Sequence, residues 1–412
     1  MAELYDVAIV GGGIGGGALA TALARAGASV LVLERSTVYR DHVRGEWMAP
    51  WGVRELLALG FYDEVRAGGG HHVARHWTCD EDVPADEAVA TAIDLTSLVP
   101  DVPGPLCIGH PALCQLFIDL AGRSGAAVRR GVEDVRVAAG RTPEVTYRTD
   151  AGEAVARCRL VVGADGRGSQ VRRQLSIELH RDPTHHLFAG MLVEDAHGWP
   201  DDVQAIGAEG DVHFLAFPQG SGRVRLYLGY GLEQARRLAG AGGPEAFLAA
   251  FRLASLPASE HLAGARPAGP CNSYPNEDTW TDVVAVDGVV LIGDAAGSND
   301  PIIGQGLSIT LRDVRLVRDA LLGERDWSPA TFAPYAAERA ERMRRLRFSA
   351  SVVAQMENEF GDAARARRRC ARERQLEDPT LLLPLFAAFL GPEAVPPETF
   401  TEETRRRLFA EG

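Results

Sequence analysis

The chain has 412 residues, 46% of them hydrophobic, and a formal net charge of -13. That length exceeds the size at which single cores stop growing, so two intimate domains are expected. The acidic balance disfavours nucleic acid and anionic membranes as partners, and no run approaches the roughly 20 apolar residues of a membrane span.

Six dispersed cysteines (Cys79, Cys107, Cys114, Cys158, Cys271, Cys370) contain no CxxC pair. They read as thiols of a reduced, cytoplasmic protein without a Cys-type zinc site, and no other metal site is expected. The chain has no lysine; all 43 basic residues are arginine. Schiff-base and other lysine chemistry is therefore excluded.

Residues 5–10 (YDVAIV) form a short apolar run with β-branched residues, which suits a strand buried on both faces. It runs directly into Gly11, Gly13 and Gly16, then into small residues that read as a helix ending near Gly27. Gly11 lets the chain turn, Gly13 lets backbone approach a pyrophosphate, and Gly16 lets helix and strand pack closely. Phosphates would sit at the helix N-terminus, where unpaired N–H groups and the dipole favour anions. A second strand, residues 29–33, delivers Glu34, 18 residues after Gly16, where an acid accepts from a ribose hydroxyl. The segment alone fits an FAD site, an NAD site, a methyltransferase loop or a ligand-free glycine turn.

Residues 76–101 are acidic and aperiodic, reading as an excursion into a second domain or a mobile loop. Helical spacing returns from His110 to Ala121. A buried strand at 158–162 leads into Gly163-Ala164-Asp165-Gly166, which by itself is only a turn. From 186 to 230 the pattern alternates, most clearly at 213–217 and 224–228, with residues 218–222 as the connector of a hairpin. A third strand, 289–292, ends at Gly293-Asp294-Ala295-Ala296, followed by Pro301 and by Gly304-Gln305-Gly306, which open a helix toward Leu322. Asp294 would stand at the carboxyl end of its strand, where open α/β sheets bind ligands. After Ser328-Pro329, an N-cap with proline at N1, the chain reads as helices. The arginine run at 365–369 reads as a solvated helix face.

Together these motifs resemble the single-component class A flavoprotein monooxygenases, the family of the para-hydroxybenzoate hydroxylases and aromatic polyketide hydroxylases. The matches are the Gly11 to Gly16 fingerprint with Glu34, GADGRGSQVRR at 163–173 and LIGDAAGSNDPIIGQGL at 291–307, which anchor about the first 325 residues. The resemblance implies an α/β protein: a Rossmann-like FAD-binding domain, an inserted antiparallel-sheet substrate domain, and C-terminal helices. The expected FAD-binding domain is residues 1–75, 102–175 and 276–325. The substrate domain is expected at 76–101 and 176–275, and the helical region at 326–412.

The same resemblance implies FAD contacts from Gly11, Gly13, Ile14, Gly15, Gly16, Glu34, Arg35, Arg44, His110, Val135, Asp165, Asp294, Gly304, Gln305, Gly306 and Leu307. Arg44 and Pro301 would face the reacting edge of the flavin, with His213 as an acceptor for a phenolic proton; a satisfied structural histidine is the commoner state of such a residue. Phe188, Met191, Leu215, Phe217, Tyr227 and Tyr230 are the candidates for the substrate wall. The implied reaction consumes NADPH or NADH and oxygen, and hydroxylates a bulky, mostly apolar, aromatic or polyketide-like molecule through a flavin C4a-hydroperoxide. A monomer or homodimer is expected.

Two positions depart from the family. Gly297 stands where a histidine is usual, and His110 where arginine or glutamine is usual. His42 leaves a covalent flavin link open. A halogenase reading fails for want of a lysine and a Trp-x-Trp-x-x-Pro signature. An alkene epoxidase, a flavoprotein reductase or oxidase, and a non-catalytic escort protein remain as alternatives.

Overall fold

The computed structural model describes residues 3–43 and 45–409. Strand Glu3–Val10 lies at the centre of a sheet ordered Ala285–Val286, Val289–Leu291, Gly152–Gly163, Glu3–Val10, Val30–Glu34, Ala127–Arg130. Neighbours in the row from Val289–Leu291 to Ala127–Arg130 run parallel. Their register decides the location of the site. Val10 pairs with both Leu33 and Gly163, and Gly163 pairs with Leu291. The three glycine-containing motifs therefore leave the sheet side by side, from one edge at the carboxyl ends of the strands. Helix Ile14–Arg25 packs on this sheet and against helix His110–Arg123, close enough that a Cβ on Gly17 would touch Phe117.

A second sheet is mostly antiparallel and is ordered Arg266–Pro267, His186–Glu194, Arg223–Tyr230, Val212–Gly220, Val203–Glu209, Arg75–Asp80, Ile93–Asp94. Asn272–Asn276 joins it beside His186–Glu194. The strand at Arg75–Asp80 arises within the stretch that showed no clear periodicity. Its odd residues Trp77 and Cys79 fill the core behind the sheet, and its even residues face the other way. The hairpin is tighter than its glycines suggested: the strands run to Gly220 and from Arg223. The turn is Ser221-Gly222, with φ +57° and +71°, the positive pair that a two-residue type I′ hairpin turn requires.

Helix Gly306–Gly323 returns to the nucleotide sheet, and the 25-residue helix Ala333–Glu357 crosses toward the second sheet. Ser328 makes no side-chain cap; a short 3-10 turn at Pro329–Phe332 starts this segment instead. The arginine run also differs from expectation. Arg368 is only 2% exposed and bonds Asp80 at 3.1 Å and Glu81 at 2.8 Å, pinning helix Asp362–Glu377 to the second sheet. The acidic segment at 80–82 supplies the partners that make burial of a guanidinium tolerable.

Candidate functional site: a nucleotide cradle opening into an aromatic chamber

The first turn is built by glycines that fail for different reasons if replaced. Gly11 has φ +104°, and a Cβ there would collide with the Ala164 carbonyl of the neighbouring motif. A Cβ on Gly16 would collide with the Gly11 carbonyl. Gly13, at the N-cap of helix Ile14–Arg25, faces open space, with no protein atom within 4 Å of an added Cβ. Gly306, first residue of its helix, is likewise open. These are cradles of bare backbone at helix N-termini, the arrangement that receives anionic or electron-rich groups.

Glu34 is buried and already committed: one carboxylate oxygen accepts from Gly12 N at 2.6 Å and the other from Ser36 N at 2.6 Å. A carboxylate has about four lone-pair sites, so a ribose hydroxyl can still be accepted. The Tyr39 hydroxyl donates to the Gly12 carbonyl at 2.5 Å, and its ring lies under the Arg130 guanidinium at 4.6 Å. Burial, with the Glu34 charge second, raises the Tyr39 phenol well above its ordinary range, so it is a fixed donor. Neither Tyr39 nor Arg130 carried a motif that would have singled it out.

Asp165 turns inward on its own segment. It accepts from Ser169 Oγ at 2.5 Å and from the N–H groups of Gln170 and Val171 at 2.6 and 3.1 Å. Arg172 then reaches the third motif, donating to the Ala295 carbonyl at 2.8 Å. Asp294 lines the cavity with Arg167 3.3 Å away. Its loop is held by a buried clamp. Asp313 accepts from Gly293 N at 2.8 Å, from Arg339 at 3.0 Å and from Arg342 at 2.7 Å, while Arg339 donates to the carbonyls of Gly293, Ala296 and Gly297. Burial alone would raise the Asp313 carboxyl; the two arginines outweigh it and hold it below the usual carboxylate range.

The departure at Gly297 has a steric cause. Its φ is +108°, and an added Cβ would strike the Thr279 carbonyl and Trp280 Cα, so no side chain fits. Gln305 is 1% exposed and spends its side chain on the protein, accepting from Trp51 Nε1 at 2.8 Å and donating to the carbonyls of Ile303 and Ala388. What it offers a ligand is backbone. Asp300 caps the turn Pro301–Ile303.

One continuous cavity of about 1160 Å3 joins these parts. Of the expected cofactor residues, Gly11, Gly13, Ile14, Gly15, Glu34, Arg35, His110, Val135, Asp165, Asp294, Gly304, Gln305, Gly306 and Leu307 line it, as do Pro301 and His42. Gly16 is buried behind the turn. Arg44 lies outside the described residues.

The cavity continues between the two sheets into a chamber walled by Phe188, Leu215, Phe217, Tyr227, Ile206 and Tyr274 from the second sheet. Trp47 stands between the halves, 5.8 Å from Phe217 and 2.8 Å from where a Gly304 Cβ would lie. The far wall comes from the C-terminal helices: Val353, Glu357, Leu385, Ala388 and Phe389. His76 and Thr78 complete it from strand Arg75–Asp80.

Three expected substrate-side residues lie elsewhere. Met191 and Tyr230 belong to the core behind the second sheet. They differ by three positions from Phe188 and Tyr227, and an odd offset along a strand changes the face. His213 shares the chamber-facing parity but sits behind Phe188, ring to ring at 5.8 Å, and does not line the cavity. Its Nδ1 donates to the Gly207 carbonyl at 3.0 Å, and burial depresses its pKa to about 3. It is the satisfied structural state on the donor side.

Residues 4–348 match the family described as the FAD binding domain. Squalene epoxidase 3 of Arabidopsis thaliana is 26% identical over 339 residues, which cover 77% of this chain and 60% of that protein. The chain thus spans less than two thirds of that relative's length. Ubiquinone hydroxylase UbiL of Rhodospirillum rubrum is 29% identical over 391 residues, 89% of this chain and 85% of the relative. The solved structure of p-nitrophenol 4-monooxygenase PnpA from Pseudomonas putida aligns over 100% of both chains with a TM-score of 0.76 at 20% identity, a likeness of fold alone. Three motifs gathered on one sheet edge, and a family match running from the first strand into the long C-terminal helix, have one reading: the chain belongs to the FAD-binding-domain flavoproteins, and the cofactor its cradle is built to hold is FAD.

Proposed function

We propose that the protein is an NAD(P)H-consuming monooxygenase that hydroxylates a bulky, mostly apolar small molecule. The observation that carries this reading is the single cavity in which a nucleotide cradle opens, past Pro301 and Gly304, into a chamber walled by aromatic and aliphatic side chains. Bound FAD would accept electrons from NADPH or NADH and activate oxygen for transfer. The chain's own tasks are to bind, to orient and to exclude water. Gly13 and the helix N-terminus behind it cradle the pyrophosphate, Glu34 and Tyr39 hold the adenosine end, and the Asp313 clamp fixes the loop bearing Asp294. Phe217, Tyr227, Trp47 and Phe389 keep water from the reacting edge. Squalene and ubiquinone, named in two relatives, are largely apolar molecules, which supports the same broad class here. Epoxidation of an alkene would use the same chamber and the same oxygen donor.

The test is to load the purified protein with FAD and follow NADPH or NADH oxidation, oxygen uptake and peroxide with a panel of aromatic and polyprenyl compounds. A yellow protein whose oxygen use accelerates with a compound and yields an oxygenated product is expected. Flavin reduction with saturated or dehydrogenated product and no incorporated oxygen would make it a reductase or oxidase. A protein that cannot retain FAD would leave only a binding role on this fold.

A further inference from the structure

Within the chamber one polar side chain is held in a single protonation pattern by a relay that begins at an indole. Trp47 Nε1 bonds Gln204 Oε1 at 2.7 Å, and Gln204 Nε2 bonds His76 Nδ1 at 3.2 Å. An indole N–H can only donate, so the Gln204 oxygen must face Trp47 and its NH2 must face His76. His76 Nδ1 must then accept, and a neutral imidazole that accepts at Nδ1 carries its proton on Nε2. Gln204 is fully buried and is the direct cross-strand partner of His76, so the relay is preset by the pairing of strands Arg75–Asp80 and Val203–Glu209. His76 is 6% exposed and lines the cavity, edge-on to Phe389 at 5.9 Å. Its Nε2 has no protein partner among the described residues.

We propose that His76 is the substrate-recognising donor of the chamber, and that the substrate presents a neutral acceptor oxygen, the carbonyl of an aryl ketone or quinone, to His76 Nε2–H. This rests on the chamber being the substrate site, the reading given above. Burial lowers the His76 pKa to about 4, so at neutral pH it donates without bringing a charge. The arginines among the described cavity residues are Arg35, Arg40, Arg167 and Arg173, none of them on the second-sheet strands or C-terminal helices that wall the chamber. Two carboxyl groups lie on this part of the cavity: Glu46, beside Trp47, is paired with Arg225, and Glu357 of the far wall has its pKa raised by burial. Among the described residues of the chamber wall a carboxylate substrate finds no cation, whereas a carbonyl finds a neutral donor.

The tautomer is read directly by nitrogen NMR of the FAD-loaded protein labelled with 15N-histidine, using His76→Phe to assign the resonance. A pyridine-type shift at Nδ1 and a pyrrole-type shift at Nε2 are expected; the reverse overturns the proposal. Recognition is read by binding of 1-tetralone and its isostere 1-methylenetetralin to the oxidised holoenzyme, followed by perturbation of the flavin spectrum. The wild type should bind the ketone about tenfold more tightly than the methylene compound, the scale of one well-made buried hydrogen bond. His76→Phe should bind both at the level of the methylene compound, and His76→Gln, which restores an N–H donor, should recover part of the preference. Equal affinities in the wild type, a preference that survives His76→Phe, or no binding of either compound at millimolar concentration overturns it. None of these readouts needs turnover, so a protein that binds as described but transfers no oxygen would refute the proposed reaction and leave the recognition intact.

Discussion

Gly11 and Gly13 stand two residues apart, and a methyl group added to each meets opposite surroundings. At Gly11 it meets the Ala164 carbonyl in a backbone region that costs a residue with a side chain about 1–3 kcal/mol before any clash. At Gly13 it meets nothing in the protein. Gly11→Ala should therefore destabilise the apoprotein by about 2 kcal/mol or more. Gly13→Ala should leave its melting unchanged and weaken FAD about tenfold or more, because the methyl fills the space reserved for the pyrophosphate. Thermal melting of both apoproteins and flavin-fluorescence titration separate the two outcomes. The spacing of these glycines was legible in the chain because each answers to a local constraint. The commitments of Glu34, Asp165 and Gln305 were not, since most of their partners are backbone groups that the fold delivers. Met191 and Tyr230 show a different shortfall: parity along their own strands already set them against Phe188 and Tyr227.

The elements around the third motif are joined by charge as well as by packing. Asp313 on helix Gly306–Gly323 faces two arginines of helix Ala333–Glu357, all three almost wholly buried. Removing the carboxylate strips Arg339 of its ion-pair partner and leaves Arg342 with Glu338 alone, and breaking a buried pair in this way costs about 3–5 kcal/mol. Asp313→Ala should show that loss in denaturant unfolding, together with weaker flavin retention because the Gly293 loop loses its anchor. Since the Asp313 pKa is lowered in the fold, its contribution is present above the ordinary carboxylate value of 3.8 and fades as pH falls below it.

Asp278, beside Asp300 and Asn299 under the Pro301 turn, runs the other way. Burial, then the Asp300 charge, raises its pKa from 3.8 to about 7. A carboxyl raised in the folded state costs stability as pH climbs through that window, on the order of 4 kcal/mol once fully ionised. Asp278→Asn keeps the accepting oxygen and removes the titration. Its melting temperature relative to wild type should therefore rise between pH 4 and pH 8. A difference that stays flat would remove this account of Asp278.

At the scale of the molecule, the chamber exists because the C-terminal helices close the gap between two sheets. That closure was the least legible part of the chain. Arg339 and Arg342 find Asp313 about one helix away, but Arg368 finds Asp80 across 288 residues of sequence. No local pattern marks an arginine for burial when its partner is that distant. By contrast, the glycine turn after the first strand and the hairpin of the second sheet followed from runs and spacings within single segments, while FAD was implied by the family resemblance that the three motifs carry together. Phe389 is the clearest probe of closure, standing between Trp47 at 5.9 Å and His76 at 5.9 Å. Phe389→Ala should admit water to the chamber: with a productive substrate, NADPH oxidation should continue while peroxide rises and product per NADPH falls at least about threefold. An unchanged ratio would place the water barrier elsewhere.

The most direct test of the whole account is isotopic. The FAD-loaded protein is supplied with NADPH, 18O2 and a compound that accelerates oxygen uptake, and the product is analysed by mass spectrometry. One 18O atom per product molecule, with the label absent when H2 18O replaces the labelled gas, is the predicted result. Product free of 18O from the gas would contradict oxygen transfer in this chamber.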